Sequence, residues 1–151
     1  MSTQDTTTGS LPTIEEIQEA FELLEDWDER FSYLLDLARK RPAFPPEAKI
    51  DPNRVHGCQS TVHLLVDVEP GAGGAEDESR LRVRAESDAA MVNGLIAVMM
   101  ALYDGRTPAE ARAIDPRAVI AQLGLDEHLS PTRKNGLHAL IEKIELLTRH
   151  A

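Results

Sequence analysis

The stretch Val62-His63-Leu64-Leu65-Val66-Asp67-Val68 places Val62, Leu64, Val66 and Val68 on one face of an extended chain and His63, Leu65 and Asp67 on the other. That period of two predicts a half-buried strand. Beyond a Gly-rich acidic loop, Glu69 to Ser79, Leu81, Val83 and Ala85 alternate with Arg80, Arg82, Arg84 and Glu86, so the two runs form an antiparallel hairpin with a long loop. Regular apolar spacing elsewhere in the chain is helical. The expected fold class is therefore α+β, a small antiparallel sheet packed against several helices.

Upstream of the hairpin, Thr13 and Glu16 have capping-box spacing, and Ile14, Ile17, Phe21 and Leu24 recur at three- and four-residue steps. A second helix is expected with Asp28 as its cap, Phe31, Leu34, Leu35 and Ala38 on its apolar side, and Pro42 at its end. Four prolines between Arg41 and Asn53 predict an irregular connection, since each removes an amide donor and steers its predecessor away from helix. Downstream, Ser87-Asp88 reads as the cap of a helix over Ala89 to Tyr103, apolar almost all round and so central, packed behind the sheet and ended by Gly105. Thr107-Pro108-Ala109-Glu110 is a capping box with proline at the first helical position. Asp115-Pro116 starts a further helix that closes at Gly124, and Ser130-Pro131 starts a last one with Leu137, Leu140, Ile141, Ile144 and Leu147 on one stripe. Met1 to Pro12 hold almost nothing apolar and are expected to be a disordered tail, with residues 13–151 as one domain.

Composition narrows the function. The 151 residues carry 16 Lys and Arg against 26 Asp and Glu, a net charge of −10, and no basic stripe of the kind that phosphate contacts require, so nucleic acid is not an expected partner. The run Glu15 to Asp36 holds nine Asp and Glu against Arg30 alone, either the solvated face of helices or a docking surface for a basic partner. One cysteine allows no internal disulfide and suits a reducing compartment, so the cytoplasm is expected. The longest apolar stretch, Leu95 to Leu102, falls short of the ~20 residues of a membrane span, and the first dozen residues lack the pattern of an export signal.

That cysteine, Cys58, stands where the irregular segment meets the first strand, preceded by Gly57 and close in sequence to the cation Arg54 and to His56, which gains a charge on protonation. Nearby positive charge favours the thiolate, the form that attacks sulfur. Cys58 also reads as a small buried hydrophobe. His56, Cys58 and His63 offer only three metal ligands at spacings unlike zinc fingers, and no metal is expected. A thiol hydrolase would need Cys58 with His128 or His138 and Asn135, a weak signal in a chain of this size. A thiol peroxidase would need a resolving cysteine or a Thr three residues ahead of Cys58, where Val55 stands.

The string Val55-His56-Gly57-Cys58-Gln59-Ser60-Thr61-Val62 resembles the V-x-G-C-Q-S-x-V signature of the SufE family, sulfur-acceptor proteins that work with cysteine desulfurases in iron–sulfur cluster assembly. Asp28-x-Arg30 with Tyr33-Leu34-Leu35 resembles the family's early D-x-R/K-x-x-Y-L segment. Ser87-Asp88-Ala89-Ala90-Met91-Val92-Asn93-Gly94-Leu95 resembles its S-D-A-x-I-V-x-G-L block, and Leu129 to Leu137 its L-S/T-P-x-R-x-x-G-L segment. These matches run in family order from the second helix to the last.

The resemblance implies a SufE-like α+β fold and a role as acceptor and activator for a pyridoxal-phosphate cysteine desulfurase of the SufS or CsdA type, with Cys58 taking persulfide sulfur and passing it to an iron–sulfur scaffold complex. It implies no cofactor on this chain. By motif position, Gly57, Gln59, Ser60, His63, Asp88 and Arg133 are candidates for shaping the site or the partner surface. Asp88 reads equally as a helix cap and Arg133 as a first-turn surface charge. His63 stands where the family commonly has an aromatic, usually Trp. Persulfide transfer is thiol–disulfide exchange in outline, and a second cysteine, able to attack the bound persulfide, is absent from the chain. Gly57 and the prolines ahead of it suit a loop sheltered in the free protein and swung out when docked. The alternatives are an adaptor in which Cys58 is inert, and an independent thiol enzyme.

Overall fold

A computed structural model describes residues 11–57, 60–70 and 79–149. Among them are seven α-helices and a two-stranded antiparallel sheet. Helix α1 spans Ile14–Leu23 and α2 spans Trp27–Arg39; strands β1, Val62–Glu69, and β2, Arg80–Ser87, follow. Then come α3, Ala90–Tyr103; α4, Pro108–Ala113; α5, Pro116–Gln122; α6, Leu125–His128; and α7, Pro131–Arg149. The α+β class and the hairpin are as the apolar spacing predicts.

Helix α1 begins at the expected capping box, Thr13 with Glu16, a device whose cap hydroxyl is worth about 1 kcal/mol. It buries Ile14, Ile17 and Phe21. Helix α2 departs from expectation in two ways. Its cap is Asp26, whose carboxylate accepts the Glu29 amide, and Asp28 lies in the first turn, where a negative charge still meets the exposed amides favourably. Its buried line is Leu34 and Leu37, while Phe31, Leu35 and Ala38 are half-buried, because α2 meets α3 along a line rotated from the one expected. The proline-rich connection holds two 3-10 turns, Pro46–Ala48 and Asp51–Asn53, and buries Phe44.

The strands pair with Val62 opposite Ser87 and Glu69 opposite Arg80. Val62, Leu64, Leu81, Val83 and Ala85 are buried, but the inward face of β1 fades toward the hairpin tip, where Val66 is half-buried and Val68 exposed. The outer edge of β2 is covered along much of its length, and that of β1 at its first residues. On β2, Leu81 exchanges hydrogen bonds with Arg106 and Gly105, and the Val83 amide donates to the Asp104 carboxylate at 2.7 Å. On β1, the Val55 amide donates to the Val62 carbonyl at 2.8 Å and Arg54 bridges to His63. Such cover removes the unpaired groups through which an exposed strand recruits other chains.

Helix α3 is the centre of the molecule, with every residue from Gly94 to Met100 buried. Helix α2, β2, α1 and α7 all pack on it. The expected Ser87-Asp88 cap is not formed: position Ala89 caps α3 without a side-chain bond. The reason is local. Asn93 instead brackets Ser87, its Oδ1 accepting the Ser87 amide at 2.8 Å and its Nδ2 donating to the Ser87 carbonyl at 2.9 Å, which joins β2 to α3. The Thr107 capping box opens α4, the Asp115 cap opens α5, and a left-handed Gly124 follows α5, all as expected. Helix α7 buries Leu137, Leu140, Ile141 and Ile144 against α3, β1 and α4.

Candidate functional site

The Val55–Val62 hydrogen bond and the Arg54–His63 bridge bring together the two ends of the segment between Val55 and Val62. Cys58 and Gln59 lie outside the described residues, as does the expectation that the Cys58 loop is sheltered. Gly57 has φ of +96°, which an L side chain rarely adopts, and a Cβ there would stand 3.3 Å from the Ala139 Cβ on α7. The other end of the loop is held from β2: the Asp88 carboxylate accepts the Thr61 amide at 3.1 Å, and the Asp88 amide donates to the Thr61 carbonyl at 3.2 Å. The carboxylate expected to cap a helix therefore clamps the loop.

Beside this loop opens a cleft of about 630 Å³ between β1, the start of α3 and the first half of α7. It brings together three of the sequence candidates, Ser60, Asp88 and Arg133. Val62, Val92, Leu95, Leu137 and Leu140 form apolar wall. Arg133 sits in the first turn of α7, its amide bonded to the Ser130 hydroxyl at 3.3 Å, so the cap that starts the helix also fixes where the guanidinium departs. A cationic side chain at a helix N-terminus, with polar Ser130 and Thr132 beside it, makes this end of the cleft suited to an anion such as a thiolate or persulfide. Ser130 was legible as a cap and Thr132 was not singled out; nothing in their spacing reveals that they line a cleft.

Other candidates are placed elsewhere. His63 lies on the face of β1 opposite Val62, its ring centroid 6.1 Å from that of Phe44. His128 stacks on Trp27 at 3.9 Å and its Nδ1 lies 3.0 Å from the Gly124 carbonyl. His138 has its Nε2 3.9 Å from Asp126, and Asn135 is exposed on α7. Among the described residues no group of three or more His, Cys, Asp or Glu could hold a metal ion; the set His56, Cys58 and His63 extends beyond those residues. No described helix is long and apolar enough to cross a membrane.

A helix-rich α+β domain with a polar-ended cleft beside a pinned loop is thus the class of protein in hand. The SufE family, described as an Fe-S metabolism associated domain, matches residues 15–148, and the chain belongs to it. It is 35% identical over 135 residues to an uncharacterized SufE-like protein of Rhizobium meliloti, covering 89% of this chain and 94% of that one. An uncharacterized SufE-like protein of Rhizobium etli is 31% identical over 134 residues, 89% of this chain and 88% of its own. The solution structure of a hypothetical protein from Thermus thermophilus superposes with a TM-score of 0.73 at 26% identity, over 93% of this chain and 96% of that one. Membership places the chain in iron–sulfur metabolism.

Proposed function

We propose that this protein accepts persulfide sulfur on Cys58 from a cysteine desulfurase and passes it on for iron–sulfur cluster assembly. The observation that carries the reading is the cleft that gathers Ser60, Asp88 and Arg133 beside the loop to which Cys58 belongs. In the transfer, the Cys58 thiolate attacks the outer sulfur of the desulfurase persulfide. One S–S bond forms as the other breaks, the desulfurase cysteine leaves as thiolate, and no net oxidation occurs. Arg133 then serves the anionic sulfur, Asp88 and Gly57 set the two ends of the loop, and Ser60 supplies a hydroxyl at the mouth. Gln59 is assigned to the same site by its place in the motif, and His63 to packing behind it. The partners are a desulfurase of the SufS or CsdA type and, downstream, a cluster scaffold. The working unit is residues 13–151, acting in the cytoplasm without a cofactor of its own, with residues 1–12 as a tail.

Intact-mass spectrometry after incubation with an active desulfurase and cysteine tests this. The expected result is wild-type protein heavier by at least one sulfur atom, reversed by a thiol reductant and absent in Cys58→Ser. Unchanged wild-type mass, or desulfurase activation retained by Cys58→Ser, moves the assignment to an adaptor in which the cysteine is inert.

A further inference from the structure

The charge of this protein is concentrated. All nine acids of the Glu15 to Asp36 run are exposed. Arg30, the one cation within it, is turned inward: its Nε donates to the carbonyls of Phe21 and Leu24 at 3.0 and 3.1 Å, and its guanidinium lies over the Phe21 and Trp27 rings. It closes the C-terminal end of α1 and offers no charge to the acids around it; Arg39, just beyond the run, pairs with Asp36. Three of the nine acids, Asp28, Glu29 and Asp36, edge with Ser32 a shallow groove of about 370 Å³ floored by Leu24 and Tyr33. Next to it Leu23 is 81% exposed, the most exposed of the large hydrophobic residues that stand out on the surface. None of these residues lines the cleft beside the Cys58 loop.

We propose that this groove is a second docking surface, which takes a basic amphipathic helix of a partner protein, independent of sulfur transfer at Cys58. Asp28 and Asp36 stand eight residues apart on α2, about 12 Å at 1.5 Å per residue, so they match cations two turns apart on the incoming helix, one of which would take Asp36 from its exposed and therefore weak pair with Arg39. The apolar floor and Leu23 would cover a leucine carried between those cations. Like-charge repulsion disfavours a second copy of this chain, and the exposed acids would repel the phosphates of nucleic acid and anionic lipid. The inference goes beyond the sulfur-acceptor reading and stands without it.

The test is titration of the isotopically labelled full chain with a short Lys, Leu and Ala peptide, helical and with lysines two turns apart, followed by NMR. Shift changes are expected to be confined to Leu23 through Asp36. The double variant Asp28→Asn with Asp36→Asn should weaken binding about tenfold more than Glu47→Gln with Glu142→Gln, which removes the same charge from other exposed positions. Leu23→Ser should weaken it too, while leaving sulfur loading of Cys58 unchanged. Absence of binding, shift changes spread over every acidic surface or centred on Asp88 and Arg133, equal loss in the two double variants, or a dimer that Leu23→Ser dissolves would each overturn the proposal.

Discussion

At the scale of single residues, Asp88 carries the most consequence. A carboxylate after the last residue of a strand and just before a helix reads as a cap, yet its oxygen goes to Thr61 across the chain. The motif string identifies Asp88 as a candidate, but local chemistry assigns it the wrong partner, because the competing donor, the Thr61 amide, is 27 residues away in sequence. Removing the carboxylate should loosen the loop rather than the helix. Asp88→Ala is expected to speed hydrogen exchange at the Thr61 amide about fivefold to tenfold, as loss of one hydrogen bond of about 1 kcal/mol would. Amides within α3 should keep their rates. Asp88→Asn, which retains an acceptor oxygen, should lie close to wild type; NMR-detected exchange separates the three.

At the scale of elements, α2 packs closely against α3 at Gly94. A Cβ there would stand 2.7 Å from the Leu34 carbonyl oxygen and 3.0 Å from the Leu34 Cβ. Replacing glycine by alanine inside a helix normally gains about 1 kcal/mol of propensity. Here the neighbour is backbone, which can give way only if the whole helix moves, so an overpacking cost of about 3 kcal/mol should win. Gly94→Ala is therefore expected to lower stability by about 2 kcal/mol, read as a reduced urea midpoint with unchanged slope. The glycine was visible in a family-like block, but its reason was not, since helical spacing says nothing of which turn of α3 another helix crosses. The same limit explains the rotation of α2: amphipathicity tells that a face is buried, and the crossing with α3 selects Leu34 and Leu37 as its line.

At the scale of the whole molecule, the alkaline limit of stability follows from the core. Tyr103, at the end of α3, is 1% exposed, and burial, with the Glu145 carboxylate adding to it, raises its pKa from 10.0 to about 12. Burial and Glu16 also raise that of Tyr33. The folded state holds these phenols neutral, so the unfolded state ionises first. The contribution of Tyr103 is complete below pH 10 and is lost as pH rises from there toward about 12, and that of Tyr33 declines in the same direction. Urea midpoints should decline through that window, and Tyr103→Phe should remove much of the decline while leaving the midpoint at pH 7 little changed.

Across these scales, what the chain's letters determined by themselves are features written in local chemistry. The period of two that makes the hairpin, the threonine and aspartate caps at Thr13, Thr107 and Asp115, the apolar run of α3 and the motif around Cys58 depend on neighbours a few residues away. Tertiary structure alone decided the clamp of Asp88 on Thr61, the cover of β2 by Asp104 to Arg106, the inward turn of Arg30 and the union of Ser60, Asp88 and Arg133 at one cleft. Those contacts join positions far apart in the chain, and their partners are chosen by how helices cross and which backbone groups remain unpaired once the core has closed. A sequence records the groups available for such pairing, whereas the pairing itself is a property of the packed whole.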